Sequence, residues 1–142
     1  MESASLGIIL DSSIAIEAER QHLDVARFLR FIASKTADCE IAICCITVAE
    51  LAHGIHRAVT PDRRMARRQF LDDLKSALPV YPITGETAEL VGRINAESAQ
   101  HGIVIPFDDL LIGACALERG YGVATRNHRH FSKIPGLRLV EI

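Results

Sequence analysis

Short runs of unbroken apolar residues alternate with helical stripes along the whole of this chain, and that alternation leaves few folds open. Residues 6–10 (Leu-Gly-Ile-Ile-Leu) and 41–46 (Ile-Ala-Ile-Cys-Cys-Ile) are short and continuously apolar. That is the pattern of a strand covered on both faces, as in a parallel sheet. Residues 80–83, 122–125 and 137–140 predict three further short strands, and Pro82 suits an edge position better than a central one.

Helical periodicity fills the intervals. Asp11-Ser12-Ser13 supplies cap-type residues before a short helix at Ile14-Ala15-Ile16, and Val25, Ala26, Leu29 and Ile32 place a second helix in 22–34. Thr47 is expected to open a third, with Val48, Leu51, Ala52 and Ile55 on its apolar stripe. Thr60-Pro61 starts a fourth, proline being welcome at the first helical position. It runs to about residue 78, with Phe70, Leu71, Leu74 and Leu78 facing inward and arginines outward. Thr84 caps a helix over 86–100 that buries Leu90, Val91 and Ile94, and Glu89, Arg93 and Glu97 form an i,i+4 ladder outside. Residues 106–118 are apolar nearly all round, which predicts a buried helix ended by Gly120. A loop is expected after Thr125. The pattern gives a three-layer α/β fold with a mainly parallel sheet flanked by helices, in a single domain spanning 1–142, without repeats or linkers.

A chain of 142 residues, 49% hydrophobic and 24% charged, can bury a core without staples. No apolar stretch approaches the roughly 18 residues that cross a bilayer. Met1-Glu2-Ser3-Ala4-Ser5 has neither the basic start nor the apolar core of a secretory signal, so a cytoplasmic protein is expected. The cysteines agree: Cys44, Cys45 and Cys115 lie in apolar runs, Cys39 in a polar turn, and no CxxC spacing suggests zinc. Cys44 and Cys45, if both in a strand, point to opposite faces. A net charge of −2 does not announce a nucleic-acid binder. Yet all basic residues but Lys35, Lys75 and Lys133 are arginine, the side chain best suited to bidentate phosphate contact. Arg57, Arg63, Arg64, Arg67 and Arg68 cluster in one stretch, either as a solvated helix face or as a surface for RNA or a partner.

Three acids stand where an apolar segment meets a helix: Asp11, Glu50 and Asp109. Each has a structural use of its own. Asp11 can cap a helix, Thr47-Val48-Ala49-Glu50 matches a capping box, and Asp109, like Asp108, can offset a helix macrodipole. Their common position adds a second meaning. In a parallel α/β sheet the carboxyl ends of the strands line one crevice, where ligands bind. Carboxylates gathered there repel one another unless a cation sits among them. A hard divalent ion, Mg²⁺ or Mn²⁺, suits an oxygen-rich site of this kind, and with it the hydrolysis of a phosphodiester.

In these segments the chain resembles the PIN-domain family, specifically its VapC-type toxin ribonucleases. Ile9-Leu10-Asp11-Ser12-Ser13-Ile14 resembles the family's opening strand and first acid. Thr47-Val48-Ala49-Glu50-Leu51-Ala52-His53-Gly54 resembles the second motif, Ile105-Pro106-Phe107-Asp108-Asp109-Leu110-Leu111-Ile112-Gly113-Ala114 the third. Thr125-Arg126-Asn127-His128-Arg129-His130-Phe131, followed by Ile134-Pro135-Gly136-Leu137, resembles the closing segment. The similarity covers nearly the whole length, with four motifs in order. It implies a five-stranded parallel sheet between helices and metal-dependent cleavage of RNA. Asp11 and Asp109 would be ligands of Mg²⁺ or Mn²⁺, with Glu50 completing the catalytic acids. It also implies inhibition by a cognate VapB-type antitoxin, and homodimers that assemble further with it. The fourth motif departs from the family's strongest pattern, with His130 and Asn127 where relatives carry acids. Asn127 can still offer an amide oxygen, and His130 is expected as a phosphate contact or packing residue.

The leading expectation is therefore an endoribonuclease toxin, with Arg126, Asn127 and Arg129 binding the substrate. The alternative is a catalytically degraded PIN domain that binds RNA or a partner. A phosphotransfer domain with Asp11 as nucleophile is disfavoured, because Ser13 stands where such a domain wants a second acid.

Overall fold

The computed structural model describes residues 6–142; the first five residues, and the expectation about a leader that rests on them, lie outside that range. Five strands form one sheet: β1 (Gly7–Leu10), β2 (Glu40–Cys44), β3 (Val80–Tyr81), β4 (Gly122–Ala124) and β5 (Leu139–Val140). Their order is β3-β2-β1-β4-β5, and every pairing is parallel. The helices are α1 (Ser12–Arg20), α2 (Val25–Lys35), α3 (Cys45–His56), α4 (Pro61–Ala77), α5 (Gly85–Gln100), α6 (Phe107–Arg119) and α7 (His128–Phe131).

The side-chain alternation of the strands builds two cores, one on each face. Ile9, Ala42, Cys44 and Val123 pack with Val91 and Ile94 of α5, with Leu110, Ile112 and Cys115 of α6, and with Phe131. Ile8, Leu10, Ile43 and Ala124 pack with Ile14 and Ala18 of α1, with Val25, Phe28 and Ile32 of α2, and with Leu74 of α4. This is the expected three-layer arrangement. Pro82 follows β3, which is an edge strand as its proline suggested. All four cysteines are free. Among the described residues no helix is long and apolar enough to cross a membrane.

Several boundaries differ from the sequence expectation. α1 extends to Arg20, beyond the short helix expected at Ile14-Ala15-Ile16, and α2 begins at Val25, where Asp24 Oδ1 accepts from the Arg27 amide at 2.8 Å. β2 stops at Cys44 and α3 starts at Cys45, so the two cysteines do not share a strand. Thr47 caps nothing: its hydroxyl donates to the Leu10 carbonyl at 3.3 Å, tying α3 to the end of β1. The capping box expected at Thr47 and Glu50 is therefore absent, and one forms instead between Thr84 and Thr87. The segment after β4 contains the single turn α7 where a loop was expected.

Gly7 and Gly120 are each held to glycine, for different reasons. A Cβ on Gly7 would lie 2.6 Å from the Tyr121 ring and 2.8 Å from the Glu40 carbonyl oxygen. Gly120 ends α6 in the left-handed region, at φ 69°.

Candidate active site

Strand order reverses at β1, with β2 on one side and β4 on the other. Beyond the carboxyl ends of β1 and β4 lies the crevice in which open α/β sheets bind ligands. Asp11 follows β1 directly and Thr125 follows β4. Asp11 is 1% exposed. It occupies the position before α1, yet its side chain makes no capping bond. Its Oδ2 instead accepts from Ser13 Oγ at 2.7 Å and from Thr125 Oγ1 at 2.8 Å. The amide of Arg126 donates to Ser13 Oγ at 2.9 Å, and that of Asn127 donates to Thr125 Oγ1 at 2.8 Å. Both hydroxyls engage one oxygen of the carboxylate and so fix its orientation.

Glu50 reaches the same crevice from α3. Its Oε1 is buried without a hydrogen-bond partner, the one such side-chain atom among the described residues. Burial, then the negative charge of Asp11, pushes its carboxyl up to about 7; Asp108 and Asp109 push the same way, and the Ser12 hydroxyl opposes them. Asp109, in the first turn of α6, is 7% exposed. Burial raises its carboxyl too, Asp11 and Asp108 add to that, and a hydrogen bond from His130 pulls it down. The His130 Nδ1 lies 2.9 Å from Asp109 Oδ2. The charge of Asp11 thus acts on both Glu50 and Asp109, acids 39 and 98 residues away in the chain. Among the described residues, however, no three His, Cys, Asp or Glu side chains close into a ready-made metal cage. The acids share a field more closely than they share a point.

Arg126, Asn127 and Arg129 are exposed on the segment after β4. The backbone of Arg126 and Asn127 belongs to the acid network. The Arg126 residue also borders a cavity of about 50 Å³ with Ile14, Phe28 and Ile142, on the α1–α2 side. The His130 ring contacts Asp109, a partner the sequence did not indicate. The arginine cluster is divided. Arg67 donates to Glu19 Oε1 at 2.8 Å and to the Gly54 carbonyl at 2.7 Å; Arg68 pairs with Asp72, and Arg64 donates to the Ala58 carbonyl. Three of the five arginines in that stretch are thus engaged within the chain. The hydroxyls of Ser12, Ser13 and Thr125 are site residues that the sequence reading does not single out. Their one sequence signal was hydroxyl residues immediately after two strands.

A groove of about 920 Å³ opens beside the acids between α1 and the α3–α4 pair, lined by Ala15, Leu23, Leu51, Phe70 and Leu71, with Glu50 among its lining residues.

The family model described as PIN domain matches residues 8–137. Over 137 residues the chain is 27% identical to Ribonuclease VapC1 of Rickettsia felis, covering 96% of this chain and 97% of that protein. It is 33% identical over 100 residues to the tRNA(fMet)-specific endonuclease VapC of Salmonella typhimurium, covering 70% of this chain and 73% of the relative. Among solved structures it resembles VapBC2 from Rickettsia felis bound to a DNA fragment from their promoter. The TM-score is 0.80 at 25% identity, covering 96% of this chain and 98% of that one.

Proposed function

The chain belongs to the PIN-domain family, and from that premise we propose that it is a divalent-metal-dependent endoribonuclease, the toxin of a VapBC-type toxin–antitoxin pair. The observation that carries this is the unpartnered, buried Oε1 of Glu50 among Asp11, Asp108 and Asp109. A buried acceptor without a donor is costly, and carboxylates that raise one another's proton affinity gain from a cation between them. The donors are all hard oxygens, which fits Mg²⁺ or Mn²⁺. Mg²⁺ is usually held by one or two carboxylates, with water and substrate phosphate as the remaining ligands, so Asp11 and Asp109 would need no third protein ligand.

Asp11 and Asp109 would hold the ion. When bound, it would neutralise the acids, polarise the scissile phosphate and make water a stronger nucleophile. Ser13 and Thr125 fix Asp11 by taking one of its oxygens. Glu50 Oε1 is available to accept a hydrogen bond or proton from the attacking water, which displaces the 3′ oxygen in line. Arg126, Asn127 and Arg129 present guanidinium and amide donors to flanking phosphates from the exposed segment beside the acids. The groove lined by Leu23, Leu51 and Phe70 would offer an apolar surface to the antitoxin partner. A segment lying there would bury apolar side chains and reach Glu50 with a basic one. The protein acts in the cytoplasm, as a homodimer that assembles further with its antitoxin.

Asp11→Asn and Asp109→Asn test the assignment. Each is expected to abolish RNA cleavage and growth arrest while the thermal midpoint stays near that of the parent. Full toxicity in both variants would overturn the mechanism. RNA binding by the parent without cleavage at millimolar Mn²⁺ would assign the chain to binding instead.

A further inference from the structure

One short segment contacts both of the acids that would hold the ion. At its start Thr125 donates to Asp11, and its next two amides, of Arg126 and Asn127, donate to Ser13 and Thr125. At its far end the His130 ring meets Asp109 at 2.9 Å. The turn between is held by the His130 amide donating to the Asn127 carbonyl at 3.0 Å. It is anchored by the next residue, Phe131, which is 0% exposed in the core with Leu110 and Ile134. His130 is therefore mounted on a seated element whose other end is fixed to Asp11.

The direction of its bond follows from the chemistry. Asp109 in the ionised form that would hold a cation only accepts hydrogen bonds, so the Nδ1 facing it then carries the proton. That bond occupies Oδ2 and restrains rotation of the carboxylate.

Resting on the nuclease assignment above, we propose that His130 is a positioning residue for Asp109: by holding Oδ2 it fixes how the carboxylate is presented to a divalent cation. The segment 125–131 then sets the geometry of Asp11 and Asp109 together, through Thr125 at one end and His130 at the other. A donor that orients a ligand carboxylate typically contributes 10–100-fold in metal affinity.

The test compares the parent with His130→Ala and His130→Asn. The Asn amide nitrogen is the same number of bonds from the backbone as Nδ1, so it can restore the donor without the ring. Mn²⁺ affinity is measured by electron paramagnetic resonance, and RNA cleavage is measured as kcat and KM over a Mn²⁺ series. The ring ¹⁵N shifts of His130 are recorded without metal. The parent is expected to show the Nδ1–H form, lost in Asp109→Ala. His130→Ala is expected to bind Mn²⁺ about 10–100-fold more weakly, to lose kcat at limiting Mn²⁺, and to keep its KM for RNA; His130→Asn recovers to within about threefold of the parent. An Nε2–H ring in the parent, unchanged Mn²⁺ affinity in His130→Ala, or no recovery in His130→Asn would each overturn the proposal. Mn²⁺ binding lost in Asp109→Asn but intact in His130→Ala would sink this inference alone. A parent that binds no Mn²⁺ would sink the nuclease assignment and this inference with it.

Discussion

Thr125 donates its hydroxyl to Asp11 Oδ2 at 2.8 Å, joining the ends of β4 and β1, and both side chains are 1% exposed. Replacing a buried donor to a charged group with an isostere that cannot donate leaves the acceptor partly unsatisfied. Thr125→Val is expected to lower unfolding stability by about 1–3 kcal/mol. It should also reduce RNA cleavage, because Asp11 loses one of its two restraints, while Thr125→Ser keeps most of both. Urea unfolding and a cleavage assay check this. A valine variant equal to the parent in both would show that the bond orients nothing.

Glu50 gives the site a signature in pH. Its folded carboxyl titrates near 7, above the usual carboxylate value of 4.5, first because of burial and then because of Asp11. Between those values the folded chain binds more protons than the unfolded one, so stability is present below about 4.5 and is lost as pH rises through 7. Glu50→Gln removes the charge. Without metal, the variant and the parent should be alike near pH 4.5. By pH 8 the variant should be more stable by about 1–2 kcal/mol, a figure reduced because solvent screens a half-buried group. Denaturation in a chelator across this range checks the divergence. A stability gap independent of pH would rule out titration of Glu50 as its cause.

Much of the frame was legible in the chain, because short continuous apolar runs and helical stripes report burial directly. The parallel sheet, its edge strand before Pro82 and the buried helix α6 all follow from that pattern. The failures have local causes. Thr47 was expected to cap α3, but its hydroxyl bonds to Leu10, a partner 37 residues away that no local motif reveals. Thr125 looked like a strand residue, and its role depends on Asp11 lying across the sheet. The His130 ring faces Asp109, 21 residues distant in the chain, a pairing that no local motif reveals. Local pattern reports which residues are buried. Which polar groups meet depends on strand order.

The arginines of α4 divide into structural and available ones, and salt dependence should separate them. Arg67 links α1, α3 and α4 through Glu19 and the Gly54 carbonyl, with its side chain 29% exposed. Arg67→Ala is expected to cost about 1–2 kcal/mol of stability, since a partly buried charge-assisted contact is lost. It should leave the salt dependence of RNA binding unchanged. Arg63 has an exposed side chain with no ion pair among the described residues, only its backbone amide being used to cap α4. If Arg63 contacts a phosphate, Arg63→Ala should make the log–log salt slope shallower by about 0.7, with little effect on stability. Equal slopes for the parent and both variants would remove Arg63 from the RNA surface.

Gly7 controls how closely β1 approaches its neighbours. It pairs with Glu40 at the start of β2, and the Tyr121 ring lies over it. That ring donates its hydroxyl to Glu40 Oε1 at 2.7 Å, so it is held in place and not free to swing aside. A methyl group at residue 7 would meet the Glu40 carbonyl at 2.8 Å as well as the ring, and backbone yields less readily than a flexible side-chain tip. Gly7→Ala should therefore destabilise the fold by about 1–3 kcal/mol, as overpacking does. The variant Gly7→Ala/Tyr121→Ala removes the ring but leaves the carbonyl, and should recover only part of that loss relative to Tyr121→Ala alone. Complete recovery would place the whole strain on the ring; no recovery would place it on the strand pairing at Glu40. Thermal unfolding of the four chains resolves the two contributions, because neighbouring substitutions that share one contact are not additive.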